Sequence, residues 1–290
     1  MADEKKQKIA AKAKKADGPV PVRDITICDA TARMLEKARE DGVETAFDRA
    51  ANMKACPIGA DSACCKHCSM GPCRLNARDP YGKVGVCGAT IDTIMARNFS
   101  RMVAAGCAAH TDHGMGMLDL FREVVQGHIT DYKVKDVHKL ELVAKELEIE
   151  TEGRPPEEIA TDVYQELERT YTQVDGEIPF MKRVPEKTLE TWRKHDMVPR
   201  GAMREIMELM HRTHMGVDQH YENLVEQSSR AAIGDGWGGS MIATDLQDVL
   251  FGCPYPLKSS ANLGVMKEDH VNIVIHGHEP LLSEMIVQAA

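Results

Sequence analysis

The sequence is organised around one cysteine-dense stretch, Cys56-Pro-Ile-Gly-Ala-Asp-Ser-Ala-Cys64-Cys65-Lys-His-Cys68-Ser-Met-Gly-Pro-Cys73, which is followed by Cys87 in Gly-Val-Cys-Gly. Six of the nine cysteines lie here. Thiolates at such spacing are metal ligands, disulfide partners or a chance grouping. The glycines and prolines between them predict a loop, so the fold on either side must hold that loop in place.

Length and composition narrow the function classes. A chain of 290 residues can bury a core without disulfides, so its cysteines can serve other chemistry. The segment from Met1 to Lys15 lacks the apolar core of a secretory signal, and no later apolar run is long enough to span a bilayer. We therefore expect a cytoplasmic protein in which clustered, reduced cysteines bind metal. A net charge of −9 provides no basic surface for nucleic acid.

Periodicity predicts a mainly α fold. We expect a mobile charged tail over 1–24, a helical cluster-binding domain over 25–250, and the first strand and helix of a truncated Rossmann-like α/β domain over 251–290. Helices are predicted from Asp29 to Gly42, from Thr45 onward, over 90–126 with interruptions near Gly106, Gly114 and Gly116, and over 136–148, 155–170, 185–194, 200–215 and 221–233.

The pattern changes near the end of the sequence. The β-branched run Val271-Asn-Ile-Val-Ile275 predicts a buried strand, followed by a loop with His276 and His278 and by a helix from Leu281. One strand and one helix cannot bury both faces of a parallel sheet. We therefore expect either that the sequence is part of a longer chain or that a second polypeptide completes the sheet.

Four of the cysteines have the spacing of a complete ligand set. Cys65-x2-Cys68-x4-Cys73-x13-Cys87 supplies four thiolates from one loop, which suits an iron-sulfur cluster or a structural zinc ion. The glycines of the loop favour the cluster, because they let backbone N–H groups approach its sulfur anions.

The remaining two cysteines form a half-site. Cys64 is adjacent to Cys65, and neighbouring side chains diverge, so Cys64 must act elsewhere. Its nearest companion is Cys56. The pair is either inert or completed by the same two cysteines of a twofold-related subunit, which would place a second cluster on the dimer axis and close enough for rapid electron transfer.

Two pairs of histidines are candidates for function. His110 and His113 share one helix face, either as solvated surface residues or as part of a functional site. His276 and His278 follow the predicted strand, where open α/β sheets bind ligands, so one of them is a candidate ligand or acid-base group. The single cysteines Cys28, Cys107 and Cys253 are interpreted as small buried residues.

The spacing of the six cysteines resembles that of a known family, the catalytic subunit of anaerobic nickel-iron carbon monoxide dehydrogenase. The likeness extends from about residue 25 to the end. The residues that carry it are the spacing of the six cysteines, Met70-Gly-Pro-Cys73-Arg, Val86-Cys-Gly-Ala-Thr90, Asn262-Leu-Gly-Val265 and His276-Gly-His278-Glu-Pro-Leu-Leu-Ser283.

The resemblance implies a homodimer with three kinds of metal site. Cys56 and Cys64 of both subunits would hold a bridging D cluster, either [4Fe-4S] or [2Fe-2S]. A [4Fe-4S] B cluster would be held by the four ligands Cys65, Cys68, Cys73 and Cys87. His278 matches a ligand to iron in the nickel-iron-sulfur C cluster, whose cysteine ligands have no counterpart in this sequence.

The resemblance also implies an activity and partners. CO and water would be converted to CO2, two protons and two electrons, and the electrons would leave through the B and D clusters to ferredoxin or a similar carrier. An acetyl-CoA synthase subunit is a further candidate partner, while no nucleic acid and no membrane span are expected. The family's proton path uses four histidines at three-residue spacing. Only His110 and His113 match it here, since Gly116 and Asp119 occupy the later places.

The main hypothesis is therefore that the sequence forms part of a carbon monoxide dehydrogenase and carries its electron-exit clusters. An alternative is a non-catalytic iron-sulfur module that passes electrons to another redox protein. A third interpretation is a helical interaction domain with zinc at the four-cysteine site.

Overall fold

The computed structural model of the protein describes residues 20–53, 55–256, 269–275 and 280–290. Within these ranges the fold is mainly helical, as predicted, with one small sheet of two strands. None of the described helices is long and apolar enough to cross a membrane. The chain divides into two compact units, one ending at Ala60 and the other beginning at Asp61. The division into 1–24, 25–250 and 251–290 stays a prediction.

The described part of the first unit consists of short helices: α1 (Val22–Ile25), α2 (Asp29–Glu40), α3 (Ala46–Asn52) and α4 (Pro57–Ala60). Gly42 has a positive φ of 69°, and the N–H of Val43 returns to the carbonyl oxygen of Ala38 at 2.8 Å, which is a Schellman cap on α2. Thr45 and Asp48 form a capping box that starts α3. The two helices predicted here are confirmed.

The second unit begins with the strands β1 (Cys64–Cys65) and β2 (Cys73–Arg74), and its described helices follow. They are α5 (Ile91–Val125), α6 (Val137–Glu146), α7 (Pro156–Thr172), a 3-10 turn (Pro179–Arg183), α8 (Glu186–Lys194), α9 (Ala202–Arg212), α10 (Tyr221–Gly234), a π-helical segment (Asp235–Ser240), α11 (Met241–Phe251) and α12 (Pro280–Ala289). The helices predicted in this part are present. The sequence interpretation missed α11, although its apolar residues Ile242, Leu246 and Val249 have helical spacing.

Helix α5 is continuous over 35 residues, so the predicted interruptions near Gly106, Gly114 and Gly116 are wrong. A Cβ atom at Gly114 would lie 1.9 Å from Tyr171 Oη and 2.7 Å from the carbonyl oxygen of Gly239. Gly114 therefore permits close packing against its neighbours and does not break the helix.

The larger hydrophobic core surrounds the C-terminal half of α5, where α6, α7 and α11 pack against it. Phe121, Leu140, Val163 and Leu246 are fully buried there. Each such side chain contributes about 1.5–3 kcal/mol relative to leaving it exposed. Helices α9 and α10 pack against α5 as well. The bundle thus packs around α5, whose N-terminal half follows directly after the cysteine loop.

The run 271–275 forms no strand in this structure, in contrast to the prediction. Val271, Ile273 and Val274 are exposed. A strand needs a hydrogen-bonded neighbour, and none of the described residues pairs with this segment. The helix predicted after it is present as α12. The Rossmann-like assignment of 251–290 stays a prediction.

Candidate functional site

A two-residue antiparallel ladder brings together the ends of the cysteine loop. Cys65 lies directly opposite Cys73, and Cys64 lies opposite Arg74. Opposed side chains in a ladder share one face, whereas successive side chains alternate between faces. The ladder therefore places Cys65 beside Cys73 and turns Cys64 to the other face.

The four cysteines of the predicted ligand set line one cavity, part of which is open to solvent. Cys65 is buried, while Cys68, Cys73 and Cys87 are half-buried. Much of the remaining lining is apolar and includes Met70, Val86, Ala89, Ile94 and Met215. Cys64 does not line this cavity. Cys64 and Cys65 therefore lie on different faces of the ladder.

Gly71 lets segments of the cysteine loop approach one another closely. A Cβ atom at Gly71 would lie only 2.9 Å from the carbonyl oxygen of Cys65. The N–H of Gly85 donates to the carbonyl oxygen of Ala89 at 2.8 Å. The next N–H, that of Val86, donates to Cys73 Sγ at 3.4 Å. A backbone donor therefore reaches a thiol sulfur, which is the role predicted for the glycine-rich loop.

A single zinc ion and an iron-sulfur cluster place different demands on four thiols. A zinc ion requires its sulfur ligands within about 2.3 Å of one point. Among the described residues, no three His, Cys, Asp or Glu side chains converge closely enough to hold one ion. In a [4Fe-4S] cluster each thiolate binds a different iron, so its cysteines line a wider space. Four cysteines around one cavity suit a [4Fe-4S] cluster.

Asn98 of α5 anchors the first part of the loop. Its side-chain Nδ2 donates to the carbonyl oxygens of Ser62 at 2.9 Å and Cys64 at 3.2 Å. Its Oδ1 accepts a hydrogen bond from His67 Nε2 at 2.8 Å, which places the imidazole proton on that nitrogen. Burial lowers the pKa of His67, so the neutral ring is favoured.

Cys87 is held by two side chains from other parts of the second unit. Arg97 Nη1 donates to its sulfur at 3.5 Å, and Gln219 Nε2 donates to its carbonyl oxygen at 2.8 Å. Burial alone would raise the pKa of Cys87, but the hydrogen bonds of Arg97, the Ala89 backbone and Gln219, together with the charge of Arg97, outweigh it, so the pKa lies below the ordinary value. The thiolate form required of a metal ligand is therefore stabilised.

The surroundings of the cavity fit a negatively charged group. Arg97 is 1% exposed, and its Nε is a buried donor that lacks a partner among the described residues. A buried cation is costly unless an anion accompanies it. An iron-sulfur cluster held by four thiolates carries net negative charge, so the residues present fit such a cluster.

The structure places the half-site cysteines in different units. Cys56 is exposed in the first unit, immediately before α4, and Cys64 is half-buried in the second. None of the nine cysteines forms a disulfide. The pairing of Cys56 with Cys64 therefore stays a prediction from their spacing.

His110 and His113 lie on α5 as predicted but contact different groups. His110 Nδ1 donates to Asp235 Oδ2 at 2.9 Å, and His113 Nε2 accepts from Gln247 Nε2 at 3.0 Å. Burial raises the pKa of Asp235, although the contact with His110 partly offsets this. Asp119, which occupies a later position of the family pattern, forms an ion pair with Arg122 at 2.9 Å.

The remaining predictions concern two histidines and three single cysteines. His276 and His278 lie outside the described residues. Cys107 is 3% exposed within a small core cluster, which agrees with its interpretation as a buried apolar residue. Cys28 is exposed at the start of α2, and Cys253 is half-buried. The burial predicted for Cys28 is wrong, since a helix N-cap lies at the surface here.

Sequence reasoning missed the residues that support the loop from a distance. Arg97, Asn98 and Gln219 contact the cysteine segment but have no motif of their own. One signal was present: Arg97 and Arg101 are four residues apart at the start of the helix that follows Cys87, so they share a face next to the predicted thiolates.

Two proteins of similar sequence are named carbon monoxide dehydrogenase or a subunit of its complex with acetyl-CoA synthase. Carbon monoxide dehydrogenase 1 of Methanosarcina mazei is 47% identical over 269 residues, covering 91% of this chain and 42% of that protein. The carbon monoxide dehydrogenase/acetyl-CoA synthase subunit beta of Moorella thermoacetica is 43% identical over 272 residues, covering 92% and 40%. The chain therefore spans less than half the length of these relatives.

Solved structures share the fold. A carbon monoxide dehydrogenase from Thermococcus sp. AM4, described as Ni-free, matches with a TM-score of 0.84 and 43% identity over 94% of this chain and 43% of that one. An acetyl-CoA synthase/carbon monoxide dehydrogenase, described with NiZn[Fe4S4] and NiNi[Fe4S4] clusters in its alpha subunits, matches with a TM-score of 0.83 and 42% identity over 96% and 42%. Residues 63–290, which include the four-cysteine cavity, match the Prismane/CO dehydrogenase family, and the chain therefore belongs to that family.

Proposed function

We propose that this chain is part of a carbon monoxide dehydrogenase and that it carries the electron-exit clusters of that enzyme. The reaction is CO + H2O ⇌ CO2 + 2 H⁺ + 2 e⁻. The observation that carries the proposal is the single cavity lined by Cys65, Cys68, Cys73 and Cys87 in a member of this family. The relatives named carbon monoxide dehydrogenase support the reaction class.

The four cysteines of the cavity are the proposed ligands of the B cluster. A [4Fe-4S] group bound there would accept and release one electron at a time. The chain prepares this site with hydrogen bonds to two sulfurs, from the Val86 N–H to Cys73 and from Arg97 to Cys87. Apolar lining residues limit the access of water, which helps to set the reduction potential.

Cys56 and Cys64 are the proposed ligands of the bridging D cluster, together with the same cysteines of a second copy. This part of the proposal is supported by their spacing and by the ladder that turns Cys64 away from the B site. Two cysteines from each subunit complete either a [4Fe-4S] or a [2Fe-2S] centre on a twofold axis. The proposal therefore includes a homodimer.

The oxidation of CO also requires a route for two protons. His110 holds a proton at Nδ1 against Asp235, and His113 presents Nε2 to Gln247 as an acceptor. Both histidines lie on the same helix, three residues apart, so they are the proposed start of a proton relay. His278 is the proposed ligand of iron in the nickel-containing C cluster, on the basis of the His-Gly-His motif alone.

The proposed partners follow from the direction of electron flow and from the relatives. Ferredoxin or a similar carrier would accept electrons from the D cluster. An acetyl-CoA synthase subunit is a further proposed partner, since one relative and one solved structure are named as complexes of the two activities. A reducing, cytoplasmic location is part of the proposal, and the absence of disulfides among the nine cysteines supports it.

The complete enzyme that contains this chain provides the test, by CO-dependent reduction of ferredoxin under anaerobic conditions. Cys68→Ala should lower the rate at least a hundredfold, because one thiolate of the exit site is lost. Cys28→Ala, at an exposed cysteine in the first unit, should leave the rate unchanged. An unaltered rate in Cys68→Ala would contradict the proposal. An enzyme with clusters but without CO-dependent reduction would instead support the alternative of a non-catalytic electron-transfer module.

A further inference from the structure

Two arginines on one face of α5 lie beside the four-cysteine cavity. Arg97 is fully buried and lines the cavity, and Arg101 is half-buried one helical turn later. Burial lowers the pKa of Arg101, and the charged groups that act on it are Cys65 and Arg97. Two positive charges are therefore held together next to the thiols.

Neither arginine forms an ion pair with a carboxylate within the described part of the chain. Arg97 donates to Cys87 Sγ at 3.5 Å and to the main-chain oxygen of Asp218 at 3.1 Å. Arg101 donates to Thr213 Oγ1 at 2.7 Å and to the main-chain oxygen of Met210 at 3.3 Å. Apart from the sulfur, these acceptors are neutral.

The carboxylate of Asp218, whose main-chain oxygen contacts Arg97, has other partners. The side chain of Asp218 pairs with Arg212 at 3.5 Å and accepts from the N–H of His220 at 2.9 Å, so only its main-chain oxygen serves Arg97. A network of hydrogen bonds fixes this arrangement: Thr93 Oγ1 donates to the carbonyl oxygen of Gln219 at 2.7 Å, and Gln219 donates to Cys87. Arg97 is thus directed towards the cavity.

Burying Arg97 and half-burying Arg101 without a counter-anion is unfavourable, and negative charge in the cavity would offset this cost. Thiolates and the cluster that they bind would supply it. Reduction adds one further negative charge to such a cluster, so a fixed cation stabilises the reduced form more than the oxidised form. Net charge and hydrogen bonds to sulfur are the features that set cluster potentials.

We propose that Arg97, supported by Arg101, compensates the charge of the four-cysteine cluster and raises its reduction potential. This inference rests on the proposed function. Arg97 acts through a hydrogen bond to the ligand sulfur of Cys87 and through its full buried charge. Arg101 touches no sulfur and acts through charge alone.

The test is a redox titration of the anaerobically isolated full chain, followed by the EPR signal of the reduced cluster, with iron and sulfide measured in each sample. Arg97→Met should keep iron and sulfide. At a fixed potential its ratio of reduced to oxidised cluster should fall about tenfold, which is a shift of about 59 mV for one electron. Arg97→Lys should recover most of this shift, because the charge is restored.

Two further variants complete the design. Arg101→Met should shift the midpoint in the same direction by a smaller amount, and Arg169→Met, at an exposed arginine paired with Glu166, should leave it unchanged. Should Arg97→Met lose the cluster, Arg101→Met decides the question. If iron-loaded Arg97→Met has the midpoint potential of the wild type, the inference is overturned. If Arg97→Met has lost its cluster, a wild-type midpoint potential in Arg101→Met overturns the inference. A wild-type chain without iron and sulfide overturns the proposed function itself.

Discussion

Cys65 lies directly across a two-residue antiparallel ladder from Cys73. The same ladder turns Cys64, the preceding residue, to the opposite face. Since Cys65 and Cys73 line the cavity and Cys64 does not, two adjacent thiols of the same residue type should have separate functions.

Serine substitutions at these adjacent positions should therefore have different effects. Cys65→Ser replaces a ligand thiolate with a hydroxyl of similar size, and we expect it to abolish the EPR signal of the reduced four-cysteine cluster. Cys64→Ser should retain that signal and lose only the iron shared between subunits. Iron per chain and low-temperature EPR after dithionite reduction measure both effects.

Cys28→Ser is the matched control, because Cys28 is exposed at the start of α2. It should retain all the iron. Equal loss of the reduced-cluster signal in the Cys64 and Cys65 variants would show that the two thiols share one site, contrary to the geometry of the ladder.

The packing at Gly114 predicts a contrast with Gly116 on the same helix. Gly114→Ala should destabilise the fold by about 1–3 kcal/mol, because its Cβ would lie 2.7 Å from the backbone oxygen of Gly239. Gly116→Ala meets no atom within 4 Å, so we expect a gain of about 0.5–1 kcal/mol from helix propensity. Urea unfolding measures both. Similar effects of the two substitutions would mean that α5 does not pack as described.

The ion pairs of Glu208 predict that the free energy of unfolding depends on pH. Its side chain, which is 14% exposed, forms ion pairs with Arg200, Arg204 and Arg212. Burial alone would raise the pKa of Glu208, but the hydrogen bonds from Arg200 and Arg212 lower it from 4.5 to about 2. Because the folded pKa is the lower one, the stabilisation is present above pH 4.5 and is lost as the pH falls through about 2.

Glu208→Gln should therefore lower the free energy of unfolding at pH 7 by on the order of 2–3 kcal/mol. The difference from the wild type should shrink as the pH falls below 4.5, the ordinary pKa. Urea unfolding at several pH values measures this difference. Glu166→Gln, whose partner Arg169 is exposed, should lose no more than about 1 kcal/mol. A deficit for Glu208→Gln that is equally large in strong acid would rule out the ionic origin.

Two cysteines outside the cavity should differ in their rate of alkylation. Hydrogen bonds involving Thr31 lower the pKa of the exposed Cys28. Burial, followed by the charge of Asp235, raises the pKa of Cys107 to about 11. Since the thiolate is the nucleophile, iodoacetamide at pH 8 should modify Cys28 at least tenfold faster than Cys107. Mass spectrometry of peptides after brief anaerobic treatment measures the two rates, and comparable rates would contradict the burial of Cys107.

The sequence predicted the helices and the grouping of the cysteines because these depend on local signals. The adjacency of Cys64 and Cys65 in the sequence already indicates that their side chains diverge. The capping residues Thr45 and Gly42 lie within one turn of the helices that they begin and end. Arg97 and Gln219 were missed because their roles depend on contacts between Cys87 and segments far along the chain. Gly114 was misinterpreted since a glycine that permits packing and one that ends a helix look alike in sequence.

The central claim is that Cys65, Cys68, Cys73 and Cys87 hold an iron-sulfur cluster, and metal analysis of the anaerobically isolated chain tests it most directly. Iron, acid-labile sulfide and zinc are measured on the same sample, beside a variant with all four cysteines replaced by alanine. We expect a brown protein with iron and sulfide in equal amounts, and the loss of about four of each per chain in the variant. A colourless protein that contains zinc and no acid-labile sulfide would contradict the claim.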